Sequence, residues 1–152
     1  MVIRYLTDNI VFADVVAKWI YDEFFVGIRP GFSYEDILLN TRECYNDKFP
    51  IRLVAMEGDI CVGTVSFVGN DLKCRDYTPW LSSLYVDEAY RCHKIGEQLV
   101  DRVKELAKGF GYNELFLRTE FASDYYRKRG WQYIESCVDE FNLEPDVFKF
   151  LL

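Results

Sequence analysis

The order of strand-like and helical segments constrains this chain more than any other feature of its sequence. Short apolar runs typical of strands alternate with segments whose apolar residues recur at helical spacing, in the order β-α-α-β-β-β-α-β-α-β-β. Consecutive strands favour hairpins, whereas a helix between two strands favours a crossover connection. The sequence therefore predicts one α/β (α+β) domain over residues 1–152, with helices covering a mixed sheet.

Local patterns indicate where several of these segments begin and end. Ser33 and Asp36 have the spacing of a capping box, which predicts a helix over residues 34–45. The pair Gly58-Asp59 lies between two apolar runs and predicts a tight hairpin. Residues 69–79 are rich in polar and turn-forming types, so we expect a polar connection there.

The composition argues against several classes of function. A formal net charge of −7 opposes binding to nucleic acid and to anionic membranes, and it attracts cations such as amines. No apolar run is long enough to span a bilayer and the first ten residues lack a signal-peptide pattern, so we expect a cytoplasmic location. Five cysteines without metal-binding or redox spacing, beside a single histidine, predict reduced thiols and no metal site.

The segment "LYVDEAYRCHKIG", residues 84–96, carries the strongest local signal for a ligand. A strand-like run leads through an acidic turn to Arg91, His93 and Lys94, and a helical pattern follows. A helix N-terminus offers unpaired N–H groups and a partial positive charge, so the basic cluster predicts a phosphate or pyrophosphate ligand. The alternative is that these are solvated charges and that Gly96 only permits close packing; spacing alone leaves both interpretations open.

The longer segment "WLSSLYVDEAYRCHKIGEQLV" resembles the acetyl-CoA signature of the GNAT superfamily of N-acetyltransferases. In that signature an apolar strand leads through V-x-x-x-(Y/F)-R/Q into R/Q-x-x-G-x-G/A at a helix start. "ELFLRTEFASDYYRKRGWQYIE" is similar to the family's fifth strand, its tyrosine-bearing helix and its sixth strand. The resemblance covers nearly the whole chain and implies a mostly antiparallel, twisted sheet of six to seven strands with about four helices, as in small bacterial-type members.

The resemblance implies an acetyl-CoA-dependent N-acetyltransferase that moves an acetyl group to a primary amine by direct attack in a ternary complex. The acceptor would be a small-molecule or peptide amine, and a homodimer is allowed because many relatives dimerise. The positions that match the family's cofactor contacts are Leu84, Tyr85, Val86, Arg91, Cys92, His93, Lys94, Ile95, Gly96, Glu97 and Thr119.

The chain departs from the family's pattern at two glycine positions. Lys94 replaces the middle glycine of the phosphate loop, and Cys92 replaces another frequent glycine. A side chain there costs about 1 kcal/mol if the backbone needs a positive φ, although Lys94 also adds a cation. A second hypothesis is therefore a GNAT-fold module that binds CoA or a partner with little or no catalysis.

The resemblance also implies the catalytic and acceptor-binding residues. Tyr126 matches the family's proton-donating tyrosine, and Glu120 is the nearest acidic candidate for a general base, with water or a substrate amine of lowered pKa as alternatives. Phe24, Phe25 and Phe32 match the region that forms one wall of the acceptor site. The alternatives are that Tyr126 packs its ring, that Glu120 is a solvated loop charge and that the phenylalanines are core residues.

Overall fold

The computed structural model describes all residues, Met1–Leu152, and contains a seven-stranded sheet with four α-helices. The strands are β1 (Val2–Tyr5), β2 (Ile51–Glu57), β3 (Ile60–Val68), β4 (Trp80–Val86), β5 (Glu114–Thr119), β6 (Gln132–Ser136) and β7 (Asp146–Leu151). The helices are α1 (Ala13–Phe24), α2 (Tyr34–Arg42), α3 (Ile95–Gly109) and α4 (Ser123–Arg127).

The sheet has the strand order β1-β2-β3-β4-β5-β7-β6. Every neighbouring pair is antiparallel except β4 and β5, which are parallel and are connected through α3. The predicted mixed, mostly antiparallel sheet with about four helices is confirmed. The pair β4–β5 is the only parallel strand pair in the sheet, and the candidate site lies where these two strands meet.

Two apolar clusters attach the helices to the sheet. The buried face of α3 packs on the central strands, with Leu99 and Val103 fully buried. The helices α1 and α2 pack against Val54 and Met56 of β2 in a second cluster. Side chains alternate across a strand, so the sheet carries helices on both faces.

The capping box at the start of α2 is confirmed. The Asp36 N–H donates to Ser33 Oγ at 3.1 Å, and the Ser33 N–H donates to Asp36 Oδ2 at 2.8 Å. The predicted end of this helix is wrong by three residues, because Glu43 has an extended backbone and α2 ends at Arg42. Instead, the Tyr45 N–H donates to the Pro50 carbonyl at 2.9 Å, which ties the chain to the start of β2.

The segment 69–79 is more than the predicted polar connection. Leu72 is fully buried and forms a third apolar cluster with Trp80, Phe116 and Val147. The neighbouring residue Asp71 lines a cavity. One buried leucine in a polar segment is too little periodicity to indicate packing, so this anchor could not be seen in the sequence.

Candidate active site

The strands β4 and β5 separate immediately after they meet. Their pairing is confined to Trp80 and Phe116. On the other side of β4, the register with β3 shifts between Thr64 and Ser66, and Ser83 has a left-handed backbone with φ 53°. Such a bulge bends a strand and increases its twist. From Ser83 onwards, the edge of β4 that faces β5 has no strand partner, so a cleft opens between the two strands.

Leu84, Tyr85 and Val86 lie along this open edge of β4. All three are half-buried, and Tyr85 and Val86 pair with β3 on the opposite edge. An unpaired strand edge presents backbone N–H and C=O groups to whatever occupies the neighbouring space. The predicted role of these residues, cofactor contact through the backbone, fits this position.

The loop before α3 has a left-handed backbone at two positions, a conformation that favours glycine, although neither position is a glycine in this chain. Cys92 has φ 68° and Lys94 has φ 62°, both in the left-handed region. For residues with a Cβ this conformation costs roughly 1–2 kcal/mol. The two positions at which the chain departs from glycine are therefore the two strained positions of the loop.

The first turn of α3 is open to an anion. Lys94 occupies the N-cap position without a side-chain cap, and the first helical bond runs from the Gln98 N–H to the Lys94 carbonyl at 3.1 Å. The N–H groups of Ile95, Gly96 and Glu97 therefore have no helical acceptor. A Cβ added at Gly96 would lie 3.6 Å from Tyr125 Oη, an ordinary contact, so close packing alone does not require glycine there.

The basic side chains of this loop lie at its surface. Arg91 donates from Nε to the Val86 carbonyl at 2.9 Å, and its guanidinium lies 5.3 Å from the Tyr85 ring centroid. This leaves the outer nitrogens of Arg91 free to bind an anion. His93 Nδ1 lies 3.1 Å from the Tyr90 carbonyl oxygen, and the Lys94 side chain is exposed.

A further arginine lies beside the loop, without any pattern in the sequence that predicts it. The Arg129 guanidinium lies 3.6 Å from the Tyr125 ring centroid and 3.3 Å from the Glu97 carboxylate. The Glu97 carboxylate is therefore engaged by Arg129, so only the Glu97 backbone is available for the predicted cofactor contact.

Tyr126 lies on α4 with its ring in the main apolar core and is 9% exposed. It packs against Trp131 and Phe148, and it also lines a large cavity. Burial raises the pKa of the Tyr126 phenol, so the hydroxyl carries its proton at neutral pH. Thr119, which ends β5 below this helix, accepts the Ala122 N–H on Oγ1 at 2.9 Å.

The cavity has a volume of about 940 Å³ and lies between the α1–α2 turn, β4, the end of β5 and the loop before β7. Phe24, Phe25 and Phe32 all line it, as predicted for an acceptor wall. The ring centroids of Phe25 and Phe32 are 5.2 Å apart, and Phe141 joins them at 6.0 Å from Phe32. Phe25, Phe32 and Phe141 therefore form an aromatic wall of the cavity, Phe24 is a further lining residue, and the acceptor role of the predicted phenylalanines stays a prediction.

A network of largely buried charges adjoins the aromatic wall, because the Arg29 guanidinium lies 5.7 Å from the Phe25 ring centroid and 5.6 Å from that of Phe141. Glu120 Oε1 accepts from Arg29 at 2.8 Å and from Arg118 at 2.9 Å. Arg118 also bonds to Asp139, whose side chain is fully buried. Glu120 is only 17% exposed, so its interpretation as a solvated loop charge is wrong. Its assignment as a general base stays a prediction.

Asp71 is the acidic residue that the sequence gave no reason to select. Asp71 is half-buried in the cavity lining, surrounded closely enough by protein atoms for its carboxyl to be desolvated, and the Ser82 hydroxyl of β4 lies beside it. This burial raises the pKa of Asp71 to about 6, against the opposing effects of Arg118 and Arg29. A proton acceptor near neutrality therefore lies beside the open edge of β4.

Neither a metal centre nor a membrane span is found. No three side chains of His, Cys, Asp or Glu type are grouped so that they could hold a metal ion. All five cysteines are free. None of the helices combines the length and the apolar character that crossing a membrane requires.

The site thus combines a parallel strand pair that separates at a bulge, a left-handed loop and a helix without a side-chain cap. Residues 14–131 match the acetyltransferase (GNAT) family. The match covers most of the chain, and the protein belongs to this family. No curated protein sequence matches the chain.

Solved structures agree with this fold at low sequence identity. An aminoglycoside 6'-N-acetyltransferase complexed with coenzyme A superposes with a TM-score of 0.78 at 15% identity, covering 99% of this chain and 97% of that chain. A GNAT acetyltransferase from Staphylococcus aureus Mu50 has a TM-score of 0.74 at 19% identity, with 99% of both chains covered. The aminoglycoside 6'-N-acetyltransferase from Enterococcus faecium has a TM-score of 0.73 at 15% identity, covering 99% and 97%.

Proposed function

We propose that this protein is an acetyl-CoA-dependent N-acetyltransferase that acetylates a primary amine of a cationic small molecule. The observation that carries the proposal is the divergence of β4 and β5. Because the strands separate at Ser83, the open edge at Leu84 and the proton-bearing Tyr126 line one cavity. An acyl donor along the strand edge and an acceptor in the cavity would meet there.

The chain has groups that fit each part of acetyl-CoA. The unpaired edge of Leu84, Tyr85 and Val86 would hold the pantetheine arm. The free N–H groups at the start of α3, with Arg91 and Lys94, would hold the pyrophosphate. When bound, acetyl-CoA supplies an acetyl group activated as a thioester. The similarity to an acetyltransferase solved with coenzyme A supports this assignment.

Tyr126 is proposed as the general acid. Its hydroxyl is protonated at neutral pH because burial raises the phenol pKa, so a proton on Oη is available to a thiolate leaving group. The packing of its ring against Trp131 and Phe148 fixes the direction of the hydroxyl. The interpretation of Tyr126 as a packing residue and its catalytic role are compatible, since the ring packs while the hydroxyl is near the cavity.

The cavity lining supports a cationic acceptor with an apolar portion. The acidic lining residues are Glu23, Asp36, Glu43, Asp71, Glu120 and Glu140, against the basic residues Arg29, Lys73 and Arg118. The aromatic wall provides apolar surface, and the Phe25 and Phe141 rings already have the Arg29 guanidinium over them. A volume of about 940 Å³ suits a compact ligand such as an aminoglycoside or polyamine, and a peptide amine remains the alternative.

The test measures the thiol of CoA released from acetyl-CoA with a panel of aminoglycosides, polyamines and peptides. We expect turnover with at least one amine and a loss of 10²-fold or more in kcat for Tyr126→Phe, with acetyl-CoA affinity retained. Tyr133→Phe, at an exposed tyrosine of β6, is the matched control and should keep full activity. Unchanged turnover in Tyr126→Phe would remove the acid assignment.

The second candidate is a non-catalytic or weakly catalytic CoA-binding module. The strained, non-glycine loop at Cys92 and Lys94 favours it, because strain there weakens the close approach of a pyrophosphate. Its distinguishing result is acetyl-CoA binding by calorimetry without acetylation of any amine in the panel. Homodimer formation stays a prediction, and light scattering of the purified protein measures the oligomeric state that tests it.

A further inference from the structure

Asp71 lies where two cavities join. A second cavity of about 350 Å³ lies beside the large one, and six residues line both: Phe25, Ile37, Asn40, Asp71, Ser82 and Ser83. Asp71 is the only ionisable side chain among them. Asp71 is therefore the ionisable side chain at the junction of the two cavities, beside the β4 residues Ser82 and Ser83 that line both.

The position of Asp71 relates directly to the reacting end of the site. The adjacent Ser82 hydroxyl belongs to β4, two residues before Leu84, where the open strand edge begins. The bulge at Ser83 turns this part of β4 toward the cavity. An amine held by Asp71 would therefore lie close to the strand edge that we assign to the acyl donor.

Asp71 is also free of the ion pairs that engage the neighbouring carboxylates. Glu120 binds two arginines and Asp139 binds Arg118, whereas the Asp71 carboxylate takes part in no salt bridge. The hydrogen bond between Arg118 and Asp71 runs from Arg118 Nη1 to the backbone carbonyl of Asp71, at 3.3 Å, and does not involve the Asp71 carboxylate. A carboxylate in a cavity without a bound cation has its oxygens available for an incoming ammonium group.

We propose that the Asp71 carboxylate binds the acceptor ammonium group and accepts its proton. One N–H bond breaks and one O–H bond forms, so the amine is left neutral with its lone pair free, and the proton of the neutral Asp71 later returns to solvent through the cavity. This inference rests on the proposed function, and it assigns to Asp71 the general-base role for which the sequence indicated Glu120.

Neighbouring charges shift the pKa of the Asp71 carboxyl group. Burial raises its pKa to about 6, Arg118 on β5 and Arg29 in the α1–α2 turn oppose the rise, and Glu120 after β5 adds to it. Arg52 of β2, buried on the far side of the second cavity, also interacts with the Asp71 charge. The result is a group that is mostly ionised at pH 7 yet accepts a proton readily.

The test compares Asp71→Asn with Glu120→Gln and with Asp101→Asn, a change at an exposed carboxylate of α3. With the best acceptor of the panel, kcat/KM of the wild type should fall on the acidic side with an apparent pKa near 6. Asp71→Asn should lower kcat/KM by 10²-fold or more and abolish that limb, whereas Glu120→Gln should keep it. An unchanged limb in Asp71→Asn overturns the proposal, and so does loss of the limb in Glu120→Gln alone.

A second measurement does not depend on turnover. Carboxyl-carbon NMR of the wild type, assigned by the signal missing in Asp71→Asn, should titrate near pH 6 and shift when spermidine is added. If no amine is acetylated but this signal shifts with spermidine, the acetyltransferase assignment fails while the amine site at Asp71 stands. A signal that ignores spermidine and every accepted amine overturns the Asp71 site. Acetyl-CoA affinity and melting temperature verify that each variant is folded.

Discussion

The two sides of the cleft are built in opposite ways. The proposed cofactor side, residues 84–97, is one continuous stretch of chain that is half-buried or exposed at every position except Ile95 and presents backbone groups. The acceptor side comes from four separate segments: the α1–α2 turn, the loop 69–79, the end of β5 and the loop before β7. It presents side chains, several of them buried and charged. A site that uses backbone groups of one short segment can be predicted from a sequence motif. A site that combines side chains from distant segments depends on the tertiary fold.

The two sides also differ in the feature that costs free energy of folding. On the cofactor side the cost lies in the left-handed backbone at Cys92 and Lys94, at exposed positions. On the acceptor side it lies in the desolvation of the Asp71 carboxylate, whose pKa burial raises, and in the dependence of Arg118 on its buried carboxylate partners. Changes on the acceptor side should therefore have the larger effects on stability, and changes on the cofactor side should act mainly on ligand affinity.

The largest effect is expected for Arg118→Ala. This change removes the partner of the fully buried Asp139 and one partner of Glu120, so the free energy of unfolding should fall by about 3–5 kcal/mol. Urea denaturation measures the loss. The control is Arg42→Ala, which breaks an exposed pair with Asp14 and should cost less than about 1 kcal/mol. Equal losses would contradict the distinction between buried and exposed charge.

The next effect concerns Asp71→Asn and depends on pH. The folded-state pKa of Asp71, about 6, lies above the ordinary aspartate value, so folding favours its protonated form. The wild type therefore keeps this contribution below about pH 4 and loses it as the pH rises through 6. The variant should be more stable than the wild type by about 2–3 kcal/mol at pH 8 and not at pH 4. Thermal unfolding at both pH values decides this, and a difference that does not vary with pH would contradict it.

Arg91→Ala should weaken acetyl-CoA binding by about tenfold, because the lost guanidinium would pair with phosphate oxygens. Calorimetric titration measures the affinity, and the deficit should shrink at high salt. Lys108→Ala, which removes a cation at the other end of α3, serves as the matched control and should bind normally. A tenfold loss in both variants would mean that general charge, rather than the loop, governs binding.

The smallest effect separates backbone strain from charge at Lys94. Lys94→Gly and Lys94→Ala remove the same charge, but only glycine tolerates φ 62° without a steric cost. We expect Lys94→Gly to be more stable than Lys94→Ala by about 1 kcal/mol. Thermal unfolding of the two proteins gives the difference. Identical stabilities would show that the loop relaxes, and would weaken the comparison between the two sides of the cleft.

Local patterns predicted the fold well because each element is specified near its own residues. The Ser33–Asp36 capping box and the Gly58-Asp59 turn gave the right element boundaries, since their hydrogen bonds or turns close within a few residues. The prediction was wrong at the end of α2, where a contact from Tyr45 to Pro50 competes with one more helical turn. Tertiary contact overrides local preference at such ends.

The sequence alone determined the element order, the basic loop at the start of α3 and the position of Tyr126 on α4, because these depend on residues adjacent in the chain. Only the tertiary structure selected Asp71, joined Arg29 to Glu120 across 91 residues of sequence, and showed that Glu120 is engaged by two arginines. The physical reason is that the reactivity of a carboxylate depends on what surrounds it in space. Burial and neighbouring charges are set by segments that meet only when the sheet is assembled.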